Sequence, residues 1–86
     1  VRNAIVNDLL PRLLRFVEQD LPEGTDLQPD TDLLLSGVLD SLGVVRVVHW
    51  LEDELGIEID PADVVLENFQ TVGAMVAYVE RCRTEG

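Results

Sequence analysis

Ser41 is the residue of this chain most open to chemistry. It lies in the stretch SGVLDSLGVVRVVHWLEDELG, residues 36–56, where Asp40, Ser41 and Leu42 occupy the start of an amphipathic pattern. A serine or aspartate at a helix start needs no function to explain it, because both are among the best N-caps. The same position also suits a phosphorylated or phosphodiester-linked serine. A helix N-terminus offers unbonded N–H donors and the positive end of the dipole, and both favour a phosphate. Gly37 leaves the approach to Ser41 uncrowded and tolerates unusual backbone angles.

The other reactive side chains are sparse. His49 and Cys82 stand once each and far apart in the sequence, with nothing local to make a dyad of them. His49 reads as an exposed helix residue, and Cys82 as a packing residue on an apolar stripe. Metal-ligand clusters, glycine-rich phosphate loops and GxSxG elbows are missing from the sequence. The aspartates between residues 26 and 40 invite a calcium-loop reading. Counted from Asp26, however, Thr31 stands where that loop needs Gly and Gly37 where it needs Glu. The expected catalytic and metal-ligating residues are therefore none.

The elements that must position Ser41 follow from hydrophobic spacing. Ile5, Leu9, Leu13, Phe16 and Val17 share one helical face. Pro11 inside that pattern would remove a hydrogen bond and clash with the preceding turn. With Asp8 as N-cap it would fall in the first turn instead, which predicts a main first helix at about residues 9–20 and an extra turn over 2–7. The stretch 22–40 is long, rich in Pro, Gly, Asp and Thr, and reads as a functional loop pinned by Leu33, Leu34 and Leu35. Val44, Val45, Val47, Val48, Leu51 and Leu55 predict a second helix over 41–55 that Gly56 ends. Asp60 and Pro61 open a short third helix, and Thr71 starts the last, with Val72, Met75, Val76, Val79 and Cys82 in register. The fold class is all-α: a four-helix bundle of three long helices and a short third, with a long loop between helices 1 and 2.

Composition agrees with one small domain. The 86 residues include 14 Leu, 13 Val and 3 Ile, enough aliphatic material for a compact helical core without a disulfide or a metal. One cysteine fits a reducing compartment, and no run approaches transmembrane length, so the expected setting is cytoplasmic. The missing initiator Met suggests a trimmed protein or an excised domain. The net charge of −11, with every basic residue an arginine, argues against nucleic-acid or membrane binding and for partners with basic patches. Acidity that only keeps a small domain soluble would look the same.

The residues SGVLDSLGVV, LEDELGIEID and ENFQTV together resemble the acyl, aminoacyl and peptidyl carrier proteins that bear 4′-phosphopantetheine. The likeness spans nearly the whole chain and treats 1–86 as a single carrier domain. It implies that a phosphopantetheinyl transferase attaches 4′-phosphopantetheine, taken from coenzyme A, to Ser41, and that Asp40 and Leu42 flank the serine for that enzyme. The prosthetic thiol would hold an acyl or aminoacyl group as a thioester. The protein would then be a monomeric, non-catalytic carrier rather than an enzyme.

Departures from the fatty-acid carriers narrow the reading. Gly43 and Arg46 stand where those carriers tend to place acids, and the acids come later, at Glu52, Asp53 and Glu54. Val44 offers either an apolar contact or a core position. Arg46 and Trp50, four apart, could stack on the helix surface, with Trp50 alternatively filling a groove against the loop. These features resemble discrete carriers of polyketide or nonribosomal-type metabolism, loaded by an adenylating ligase or an acyltransferase and unloaded by a downstream synthase or transferase. The competing readings are a housekeeping fatty-acid carrier and a small acidic adaptor in which Ser41 is only a helix cap. Cargo-pocket shape would depend on Leu34, Leu39, Val45, Val48 and Ile59.

Overall fold

The computed structural model describes the backbone of residues 2–85 and the side chains of residues 9–82. Its elements are α1 (Arg2–Glu18), α2 (Ser41–Leu55), a 3-10 turn (Pro61–Asp63), α3 (Leu66–Phe69) and α4 (Val72–Glu85). The all-α class, the short third helix and the long gap between the first two helices are as the sequence predicts. No strand occurs among the described residues.

The first helix corrects the expectation. It runs unbroken through Asp8 and Pro11, so Asp8 is not its N-cap and Pro11 is an interior residue. The side chains of Ile5 and Asp8 lie outside the described residues. Pro11 is exposed, which keeps its ring clear of the core. Its cost is the missing N–H to the turn before it. Leu9, Leu13 and Val17 recur at helical spacing and are fully buried, so the packed face decides the helix despite the proline.

Helix α2 is rich in β-branched valines, which are only modest helix formers. Burial of Val47 and Leu51 in the common core compensates. Gly56 closes it in the left-handed conformation (φ 64°), its N–H donating to the Glu52 carbonyl at 2.9 Å. The Ile59 N–H then donates to the Glu52 carboxylate at 2.9 Å, folding the returning chain onto the end of α2.

Residues 19–40 form no helix, yet they are firmly attached. The Gly73 N–H donates to the Pro29 carbonyl at 2.9 Å, the Leu33 N–H to the Gln70 carbonyl at 2.8 Å, and the Leu39 N–H to the Leu33 carbonyl at 2.8 Å. The Asp32 carboxylate accepts the Leu34 and Leu35 N–H groups through Oδ1 and the Gln70 amide through Oδ2. Leu33 is fully buried and Leu34 half-buried, but Leu35 is 70% exposed. The predicted three-leucine pin is therefore Leu33 with part of Leu34; an Asx turn at Asp32 directs Leu35 outward.

The 3-10 turn is capped by Asp60, whose carboxylate accepts the Ala62 N–H at 2.9 Å, with Pro61 at its first position. Asp63 at its end accepts the Tyr78 hydroxyl at 2.8 Å and so ties the turn to α4. Burial, then the neighbouring Cys82 and the Asp63 carboxylate, push the Tyr78 phenol well above its ordinary value. A pKa raised by folding means that the neutral phenol is what the fold stabilises. That stability is complete below the unfolded value of about 10 and is lost as pH rises towards the folded value. Tyr78→Phe is expected to cost on the order of 1–2 kcal/mol at neutral pH, by urea titration, and to flatten the loss of stability above about pH 10.

Candidate functional site

The start of α2 divides its tasks between neighbours. Asp40 is the N-cap, with extended backbone, and its Oδ1 accepts the Gly43 N–H at 2.9 Å. Its carbonyl accepts the Val44 N–H at 3.0 Å. Ser41 is thus the first helical residue and not the cap, which removes the structural ground for reading Ser41 as a capping serine alone. Its side chain is exposed and makes no hydrogen bond among the described residues. The Ser41 and Leu42 N–H groups likewise have no acceptor within the described residues. An exposed, unbonded hydroxyl beside two unbonded helix N–H groups fits a phosphodiester. Gly37 (φ 77°) turns the loop into this position, as the sequence predicts for a crowding-free approach.

Beside Ser41 lies a groove of about 620 Å³, lined on one side by Leu34, Leu39, Val44 and Val45 and on the other by Val64, Val65, Leu66 and Phe69. Of the residues predicted to shape a pocket, Leu34, Leu39 and Val45 do line it. Val48 and Ile59 pack into the core instead. The far wall was not anticipated. Its signal in the sequence is the apolar run Val64-Val65-Leu66, more hydrophobic than a surface connection between two capped turns requires. Three of the large exposed aliphatic side chains, Val45, Val65 and Leu66, line this groove, and Leu42 (65% exposed) follows Ser41 on α2.

Asp40, Leu42 and Val44 therefore share the groove end of α2 with Ser41, Val44 being half-buried. Arg46 and Trp50 do not share it. The Arg46 guanidinium reaches Asp20 Oδ1 at 2.7 Å. Trp50 stacks on Phe16 of α1, with ring centroids 5.1 Å apart and planes within 19°. Arg12, not Arg46, lies over the indole, 5.6 Å from its centroid, and also pairs with Glu54. The expected Arg46–Trp50 stack is absent because each side chain finds a stronger partner on the α1 side: a carboxylate for one, a second ring for the other. The groove for Trp50 is likewise made by α1 and not by the loop.

His49 is exposed on α2, whereas Cys82 is half-buried beside Tyr78 on α4. Among the described residues no group of His, Cys, Asp and Glu could hold a metal ion. The loop aspartates serve as turn formers: Asp26 accepts the Gln28 amide, Asp32 the backbone N–H groups given above. No helix of the described residues is long and apolar enough to cross a membrane.

Residues 11–79 match the family described as the phosphopantetheine attachment site. The chain belongs to this family. It is similar to D-alanyl carrier protein 2 of Lactiplantibacillus plantarum, 28% identical over 87% of this chain and 94% of that protein. The D-alanyl carrier protein of Streptococcus suis is 28% identical over 84% of this chain and 91% of its own length. The acyl carrier protein of Thermotoga maritima is 45% identical over 49% of each chain. A solved chain described under the crystal structure of an FAD-dependent dehydrogenase is 32% identical, with TM-score 0.69, over 78% of this chain and 97% of that one. The protein is accordingly a non-catalytic carrier that bears covalent 4′-phosphopantetheine. Carriers of this family are modified by phosphopantetheinyl transferases and serve partner enzymes.

Because Asp40 holds the cap, Asp40→Ala should lower stability by about 1 kcal/mol, whereas Ser41→Ala should change it by less than about 0.5 kcal/mol. Urea midpoints of the two variants, measured side by side, check the assignment.

Proposed function

We propose that the 86 residues act as a single carrier domain in which Ser41 carries the phosphopantetheine arm. The observation that carries this reading is the exposed Ser41 hydroxyl, left without a hydrogen bond by Asp40's capping and set at the rim of an apolar groove. Ser41 Oγ loses its proton to a base on the transferase and forms a bond to phosphorus, as the pyrophosphate of coenzyme A breaks and the adenosine bisphosphate departs. The unbonded N–H groups of Ser41 and Leu42 meet the new phosphodiester. The arm supplies the thiol on which an acyl or aminoacyl group travels as a thioester.

The groove-end residues Asp40, Leu42 and Val44 would meet the partners first, with Arg46 and Trp50 presenting a second, α1-facing edge of α2. Two D-alanyl carriers among the relatives support an aminoacyl cargo loaded by an adenylating ligase, with an acyltransferase as the other loading route. A downstream synthase or transferase of polyketide or nonribosomal-type metabolism would then take the cargo. The first turns of α2 support this over fatty-acid synthesis: Gly43 and Arg46 stand there, and Asp53 and Glu54 lie at the far end of the helix. Such a carrier would work in the cytoplasm as a monomer.

Intact-protein mass after incubation with coenzyme A and a promiscuous transferase tests the attachment. A single phosphopantetheine adduct that disappears in Ser41→Ala is expected; an adduct that persists in the variant would move the site elsewhere. Arg46→Glu tests the pathway. It breaks a surface ion pair worth at most about 1 kcal/mol, so folding should survive. Competition binding against a fatty-acid synthase partner should show tighter docking in the variant if the first turns of α2 decide recognition.

A further inference from the structure

Leu39 divides the space behind Ser41 in two. On one side is the apolar groove; on the other is a smaller polar notch of about 160 Å³ lined by Asp20, Val38, Gly43 and Arg46 among others. Leu39 lines both, and it is nearly fully buried. It can lie so close to α2 only because residue 43 is glycine. A Cβ there would come within 2.9 Å of Leu39 Cγ and closer still to Cδ1. Gly43 lines the notch and not the groove, so a side chain at 43 would force Leu39 to shift from its place between the two.

We propose that Leu39, seated on Gly43, is the specificity-determining wall of the groove and sets the size of the carboxylate-free acyl group that can fold back into it from Ser41. This rests on the carrier reading with Ser41 as the point of attachment. The occupant bears no carboxylate because no basic side chain lines the groove. The one acid that does, Asp40, has Oδ1 committed to the Gly43 N–H. A carboxylate-ended group would meet an acid and no counter-ion, whereas a short aliphatic or cyclic group would meet Val44, Val64 and Phe69. The occupant is tethered because Ser41 is itself part of the lining.

The test loads the full chain from acyl coenzyme A thioesters of increasing length, acetyl to octanoyl, and follows thioester cleavage by hydroxylamine with mass spectrometry. In the wild-type chain, cleavage should slow by about fourfold for each methylene that the groove shelters, up to a limiting length. Leu39→Ala should open the groove into the notch and move that limit to longer chains. Gly43→Ala should displace Leu39 and shift that limit as well. Leu39→Val, a milder truncation, decides the matter with Gly43→Ala if Leu39→Ala melts under assay conditions. Cleavage independent of chain length, or a limit unmoved by the variants, overturns the proposal. Failure of the wild-type chain to take any acyl adduct at Ser41 is a separate result: it removes the carrier reading and the wall with it.

Discussion

Asp40 accepts the Gly43 N–H at 2.9 Å, and the first turn of α2 is organised around that bond. A helix start must satisfy its orphan donors somehow, and a serine at that place would ordinarily be drawn into the task. Here the aspartate takes it, one residue earlier, and the serine hydroxyl is left in solvent. The same bond requires a close approach of backbone at residue 43. That approach also admits Leu39, so cap, exposed hydroxyl and groove wall depend on one short piece of chain.

The loop before α2 can hold Asp40 in place because its polar backbone is satisfied without regular structure. Asp32 gathers two N–H groups of its own loop and the Gln70 side chain, and the Leu33 and Leu39 N–H groups extend the connection from the α3–α4 junction to the N-cap. A long connection in a compact domain is tolerable under these conditions, since its backbone groups exchange water for internal partners and are not left unsatisfied. The far wall of the groove is held in a comparable way, by the Asp60 cap and by the Tyr78–Asp63 bond. Both walls beside Ser41 thus lean on α4 and its approach.

Helices with a periodic apolar face were legible from sequence, and so was the end of α2 at Gly56. Leu9, Leu13 and Val17, or Val47 and Leu51, announce themselves because burial repeats at the helical period. Pro11 misled because its local cost is certain, whereas the packing that outweighs it involves residues distant in sequence. Arg46 and Trp50 misled for the related reason that neighbours on one helix are visible in the sequence and partners on another are not. Their actual partners, Asp20 and Phe16, belong to the end of α1 and the turn after it. The start of α2 at Ser41 was legible, but not that Asp40 alone would do the capping. That choice turns on backbone angles which Asp and Ser could each adopt.

The stack of Trp50 on Phe16 under Arg12 has a practical side. This is the chain's single tryptophan, and it sits on the α1–α2 seam and not on the groove beside Ser41. Its fluorescence is therefore a built-in gauge of whether the two long helices remain docked. Events at the serine can change while the indole keeps the same surroundings, so one optical signal follows the integrity of the scaffold separately from the traffic it bears.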